Sequence, residues 1–258
     1  MSRQRDYTPT ELLAVVASRM LSDNQSVFVG TGLPLIAGML AQRTHAPGLL
    51  LFFEAGSIGP RVPELPISVG DSRTYHQAIA LSSMHDAMSL AQAGYVDVGF
   101  LGAAQIDPFG NINTTVIGPH DRPVARLPGS GGANDVASFA ARTIIILRQS
   151  SRSFVPKLDF LTTPGYLDGP GARERAGLPA GTGPFRVITQ LAVYGFDDRS
   201  RRMRALSLHP GVTPEKIREN SGFDIPIGEG IGESPVPTAE ELKLLREVID
   251  PKGVVLGK

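Results

Sequence analysis

Three apolar runs limit what this chain can fold into more than any other feature. "LLLFF" at 49–53, "VGFL" at 98–101 and "TIIIL" at 143–147 are short, rich in β-branched and aromatic residues, and do not alternate with polar ones. A strand with one wet face would alternate. Unbroken runs of this length need cover on both faces, which is the environment of a strand inside an α/β sheet. Between them lie segments of helical character. "TPTELLAVVASRMLSD" carries Thr8 as N-cap, Pro9 at the first helical position and Glu11 to close a capping box. "SVFVGTGLP" reads as a strand running into a glycine turn, and "PLIAGMLAQRTH" as the following helix. Residues 75–93, rich in alanine, leucine and methionine, predict one long helix. Strand and helix in alternation imply a mostly parallel open sheet flanked by helices.

The last third changes rhythm. "FRVITQLAVYGFDDRSRRMRALSLHPG" predicts strands around a charged turn at Asp197–Arg202, so a few antiparallel strands are expected toward the C-terminus. Helices follow at about 214–220 and 238–249. No linker or internal repeat interrupts the pattern, so residues 1–258 are expected to form a single domain. "TTPGYLDGPGARERAGLPAGTGP" is long, glycine-rich and irregular, and irregular loops of that length carry function or disorder.

Composition removes several chemistries. With no cysteine, thiol catalysis, disulfides and thiolate metal sites are excluded. The 25 basic and 25 acidic side chains cancel, so no charge field favours nucleic acid. The polar start and the lack of a run of ~20 apolar residues argue against a signal peptide or a membrane span, and a cytoplasmic location is the expectation. The five histidines (45, 76, 85, 120 and 209) form neither HxH nor HExxH, so no metal site is expected. Ser57 lacks a GxSxG context. The basic runs near 148–157 and 198–204 read as solvated turns, the first also as a phosphate or subunit contact.

What remains is a set of glycine loops where strands end. Ligands of open α/β sheets bind there. "VGTGLP" supplies Gly30 and Gly32, "EAG" supplies Glu54 and Gly56, and "LGAAQID" supplies Gly102, Ala103 and Gln105. "GSGGAND" supplies Gly131, Gly132 and Ala133 ahead of a predicted helix. No loop is a dinucleotide fingerprint or a Walker motif. Glu54 has two readings. It is a helix cap or half of a salt bridge, or else a rigidly held acid placed for nucleophilic or acid–base work.

The order "GTGLP", "EAG", "FLGAAQIDPFGNIN", "GSGGAND" resembles the β subunit of class I coenzyme A transferases, most closely the glutaconate type. The similarity runs on through "TTPGYLDGPGARERAGLP" and "HPGVTPEKIRENSGFDI". It implies the transferase α/β fold, Rossmann-like in its layering, and Glu54 as the nucleophile of the E-x-G element. Ala55 departs from the asparagine or serine that many members carry. The resemblance further implies a covalent glutamyl-CoA thioester, coenzyme A as co-substrate with no tightly bound cofactor, and an α subunit completing a hetero-oligomer on an acyl-CoA and a carboxylic acid. The small residues at the strand end in "GFLGAAQ" make the Gly102 and Ala103 amides the candidate oxyanion donors such chemistry needs. Gly30, Gly32, Gly56, Gln105, Gly131, Gly132 and Ala133 are the candidate substrate- or CoA-binding positions, with 131–133 read either as a nest for the pantetheine or pyrophosphate or as a tight helix entry, and the other glycines either as ligand loops or as ordinary turns. The alternatives are an acyl-CoA hydrolase, a ring-opening or decarboxylating enzyme on the same scaffold, or a non-catalytic partner subunit.

Overall fold

The computed structural model describes residues 6–257. They sort into two compact units, one holding the residues up to Ala87 and those from Pro235 onward, the other Met88–Ser234. The first chain crossing between them falls inside a helix, and the second in the irregular stretch 221–238.

The first unit opens with α1 (Pro9–Ser18), whose capping box is formed as expected: Thr8 Oγ1 accepts the Glu11 amide, and the Glu11 carboxylate accepts the Thr8 amide at 2.7 Å. Strand β1 (Ser26–Phe28) leads through the glycine turn into α2 (Leu33–Arg43), and β2 (Leu50–Phe52) lies parallel to β1, with Phe28 opposite Phe52. Val27, Phe28, Leu51 and Phe52 are buried, with α2 set close enough that a Cβ on Gly38 would stand 2.8 Å from Leu51. Strands β3 (Ser57–Ile58) and β4 (Ala80–Leu81) then add antiparallel, giving the order β1-β2-β3-β4.

The long helix predicted over 75–93 is not formed. A 3₁₀ turn (Ser72–Tyr75) precedes β4, and only Met84–Gln92 is helical, as α3. Backbone pairing wins over helical propensity: Ile79 donates to the Ile58 carbonyl and Ser82 to that of Gly56. The helix starts where Ser83 and Asp86 cap each other, Ser83 Oγ accepting the Asp86 amide and Asp86 accepting that of Ser83, both at 3.1 Å. "SSMHD" carried that start signal in the sequence.

In the second unit β5 (Val98–Gly102) and β10 (Arg142–Ile146) are parallel neighbours and β11 (Pro184–Ile188) is parallel to β10. Between β5 and β10 come two small hairpins and a helix: β6 (Gln105–Ile106) with β7 (Ile112–Asn113), β8 (Val116–Ile117) with β9 (Ala125–Arg126), and α4 (Ala133–Phe139). Between β10 and β11 a one-turn helix, α5 (Ala172–Arg175), is all the regular structure in the long glycine-rich stretch. Strands β12 (Ala192–Phe196) and β13 (Met203–Leu208) pair antiparallel around the charged turn, as the sequence predicts, giving the order β13-β12-β11-β10-β5. Helix α6 (Pro214–Glu219) follows. The α/β class therefore holds, with parallel central strands and antiparallel additions, and the pair β3–β4 adds antiparallel strands the sequence did not announce.

The chain then returns to the first unit as α7 (Ala239–Lys243), which continues through a wide π turn, Leu244–Ile249. Two arginine–glutamate forks tie this segment to α1. Arg246 reaches Glu11 at 2.6 and 2.9 Å, and Arg19 reaches Glu241 at 2.9 and 2.7 Å. Each glutamate is also the closing residue of its own helix's capping box. One carboxylate thus satisfies a helix start and a cross-helix ion pair together.

Candidate active site

The E-A-G element is a hairpin turn. Phe53, fully buried, accepts from the Gly56 amide at 2.9 Å and donates to Ser57 O at 2.9 Å, leaving Glu54, Ala55 and Gly56 as a three-residue loop between β2 and β3. Loops of this size need a glycine with positive φ in third place, and Gly56 has φ 104°. The position is closed to any side chain for a second reason: a Cβ there would come 2.0 Å from the Ser82 carbonyl oxygen. Ser82 also clamps the turn, donating to Gly56 O from its amide at 2.9 Å and its hydroxyl at 3.1 Å. On the far side the buried Ser57 hydroxyl donates to Thr74 O at 2.6 Å.

The turn is fixed at Phe53, Gly56 and Ser57, and Glu54 projects from it, half-buried. Among the described residues, no hydrogen bond or ion pair engages its carboxylate. The reading of Glu54 as cap or salt bridge has no partner to support it. A rigid backbone carrying an uncommitted acid is the arrangement that orientation catalysis requires.

Gly30 and Gly32 are on the adjacent loop. Val29 donates to Phe52 O at 2.9 Å, which places Gly30 just past the end of the β1–β2 pairing. Gly32, at φ 88°, turns the chain into α2 and leaves that helix without a side-chain cap. In the first unit, then, Gly30 follows β1 and Glu54 and Gly56 follow β2, at the carboxyl ends of two parallel strands.

The other predicted residues belong to the second unit. Gly102 ends β5, exposed, with nothing within 4 Å of where a Cβ would stand, and Ala103 follows it, half-buried. Gly131, with φ 49°, and the N-cap Gly132 open α4 at Ala133, and this loop is pinned by Thr114, which exchanges bonds with Gly129 at 2.8 Å in both directions. Gln105 is different. Its side chain is buried, donating to Asp159 at 2.9 Å and accepting from Asn113 at 2.7 Å and from the Asp159 amide at 3.2 Å. Those bonds engage its side chain internally.

The rest of "QIDPFGNIN" is also internal carpentry. Asp107 accepts from Phe109 N, Asn111 N and Asn111 Nδ2 at 2.9, 3.0 and 2.8 Å, while burial pushes its carboxyl above the usual range. Asn111 Oδ1 accepts from Gly165 at 2.7 Å and Leu167 at 3.0 Å, docking the start of the long loop. Arg173 holds its remainder. Only 2% exposed and in no ion pair among the described residues, it donates to Gly165 O, Ala137 O and Thr182 Oγ1 at 2.8–2.9 Å. Burial lowers its affinity for the proton. Neither Ser82 nor Arg173 was signalled as important by its neighbours in sequence.

A protein-family model described as Coenzyme A transferase matches residues 10–220. The chain belongs to the coenzyme A transferase family. It is 44% identical over 241 residues to the B subunit of the 3-oxoadipate CoA-transferase of Pseudomonas knackmussii, covering 93% of this chain and 92% of that one. It is 38% identical over 263 residues to the B subunit of the glutaconate CoA-transferase of Acidaminococcus fermentans, covering 97% and 96%. The crystal structure of the latter enzyme superposes with a TM-score of 0.93 at 37% identity over 98% of both chains. A structure of the decarboxylase AibA/AibB is also similar, with a TM-score of 0.83 at 28% identity over 98% of this chain and all of that one. This transferase is therefore an enzyme chain of the class I β-subunit type. Among the described residues of the transferase, no helix is long and apolar enough to cross a membrane, and no cluster of His, Asp and Glu could hold a metal ion.

Proposed function

We propose that this transferase chain is the catalytic β subunit of a two-chain enzyme that moves coenzyme A between a dicarboxylic acyl-CoA and a carboxylic acid, through a thioester on Glu54. The observation that carries the reading is the Glu54 carboxylate, held on a clamped hairpin turn and free of any partner among the described residues. The dicarboxylic preference follows the two relatives named for 3-oxoadipate and glutaconate. An α-subunit partner follows from both relatives being named as one subunit of their enzymes.

A carboxylate in water is a weak nucleophile toward a thioester. Fixed orientation can supply about 7–11 kcal/mol of the barrier. A Glu54 oxygen attacks the acyl carbonyl carbon, the C–S bond breaks, and an acyl–glutamyl anhydride forms with coenzyme A thiolate released. The thiolate attacks the Glu54 carbonyl carbon, giving the glutamyl-CoA thioester and the donor acid as its carboxylate. An acceptor carboxylate repeats both steps in reverse order and regenerates Glu54. No net proton is taken up. Each tetrahedral oxyanion needs backbone donors, worth about 2.7–4 kcal/mol apiece. Gly30 and Gly32 give the coenzyme close approach to backbone.

Mass spectrometry of the assembled enzyme with donor acyl-CoA and no acceptor tests this. Coenzyme A bound to the peptide carrying Glu54 is expected, and Glu54→Gln should abolish both adduct and transfer without altering the melting temperature. Turnover with no adduct, releasing free acid, would move the assignment to a hydrolase.

A further inference from the structure

A cavity of about 780 Å³ opens in the first unit where the glycine turn enters α2. Thr31 and Gly32 form one side, residues 63–67 and Arg73 a second, and residues 248–255 a third. That third wall lies beyond the residues the family model matches. The volume is in the range of small-molecule sites, and the lining is mostly apolar with few polar groups, as such sites are. Three of its aliphatic side chains are left to solvent: Ile67 is 87% exposed, Val254 72% and Val248 46%. Apolar surface held open in a concavity, beside the loop that leads from β1 into α2, is surface awaiting an occupant.

Its charged groups are unequally committed. Arg73 pairs with Asp71 at 2.8 Å and donates to Leu65 O at 2.9 Å. Asp250 accepts the amides of Val254, Val255 and Leu256 at 2.8, 2.8 and 2.9 Å, folding the C-terminal turn around itself. Glu64 is exposed on the 63–67 wall and keeps negative groups off that side. Lys252, exposed on the third wall, has no hydrogen bond or ion pair among the described residues. An occupant with an apolar body and one anionic group would cover the aliphatic walls and meet the lysine.

We propose that Lys252 reads an anionic group of the acyl-CoA substrate from the C-terminal wall of this cavity, and that this wall tunes which substrates the enzyme accepts. The proposal rests on the acyl-CoA reading above. The anion has two sources: the distal carboxylate of a dicarboxylic acyl group, or the phosphates of coenzyme A.

Calorimetric binding to the assembled enzyme carrying Glu54→Gln, which blocks turnover, separates them. The probes are glutaryl-CoA, butyryl-CoA and glutaryl-3′-dephospho-CoA. Lys252→Met should weaken glutaryl-CoA binding about tenfold, the size of one lost charged contact, and Lys252→Arg should restore most of it. Loss of the penalty with butyryl-CoA assigns the distal carboxylate, and its loss with the dephospho compound assigns the 3′-phosphate. An equal penalty on all three assigns the pyrophosphate they share. A change under about twofold on all three, or an equal effect of Lys243→Met outside the cavity, overturns the proposal. If the enzyme with lysine at 252 binds none of the probes, the acyl-CoA reading itself falls.

Discussion

Replacing Gly56 by alanine tests whether the clamped turn, and not only the acid on it, is part of the catalyst. The residue sits at φ 104°, and a Cβ would lie 2.0 Å from the Ser82 carbonyl oxygen, against backbone and not a side chain that could swing away. Strain of this kind costs of order 1–3 kcal/mol. For a chain of this size that corresponds to a fall in melting temperature of roughly 3–10 °C. Relief requires the turn and Ser82 to part by about 1 Å, and a misplacement of that size at a reacting group costs about 10²-fold in rate. Glu54 keeps its charge and exposure, so the loss should fall on kcat and on the rate of adduct formation, with KM for acyl-CoA little changed. The assay is single-turnover adduct formation by quenched-flow mass spectrometry on the assembled enzyme, alongside thermal melts. A variant that forms the adduct within about threefold of the parent rate, under 1 kcal/mol of barrier, would show that the turn geometry does not control Glu54.

Two further outcomes follow from interactions away from the nucleophile. The Glu11 carboxyl is held below the usual carboxylate range, first by its hydrogen bonds from Arg246. A lowered folded-state pKa adds stability above the unfolded pKa that disappears as pH falls through the folded one. Glu11→Gln should therefore lower stability by about 1–2 kcal/mol near pH 7, a figure kept modest because Arg246 is half-exposed. The gap should close in melts below pH 4.5; a pH-independent gap would refute the linkage. Asn111→Ala removes the acceptor for Gly165 and Leu167 and a donor to Asp107, and should cost about 2–4 kcal/mol in denaturant melts while loosening 162–184 to proteolysis; unchanged protease resistance would contradict its docking role.

Much of the fold was legible because local rules and tertiary packing agreed. Thr8, Pro9 and Glu11 announced α1, the unbroken apolar runs announced β2, β5 and β10, and the charged stretch at Asp197 announced the β12–β13 turn. The failure at 75–83 has a specific cause. Ala78, Ile79, Ala80 and Leu81 suit a helix, but Ile58 and Gly56 offer backbone partners that only the folded chain reveals. In the candidate site, Glu54 stood out as a carboxylate delivered by an apolar strand, and the glycines as loops where such strands end. The inward turn of Gln105 depended on Asp159, 54 residues away, and no local pattern encodes that. Arg173 was hidden for the same reason: its acceptors come from α4, from the loop's start and from Thr182.

The arginine–glutamate forks make the first unit's assembly a matter of timing. Glu11 and Arg246 are 235 positions apart, so a ribosome making about 5–20 residues per second leaves the first helix without its partner for roughly 10–50 s. During that interval α1 offers a buried-type carboxylate and an apolar face to whatever is near, while the second unit, continuous in sequence, already has all its strands. The emerging chain therefore has a completed interior segment before it has a completed beginning. Nascent-chain lengths that stop short of Arg246 should leave α1 open to a chaperone or to protease, and those that include it should close.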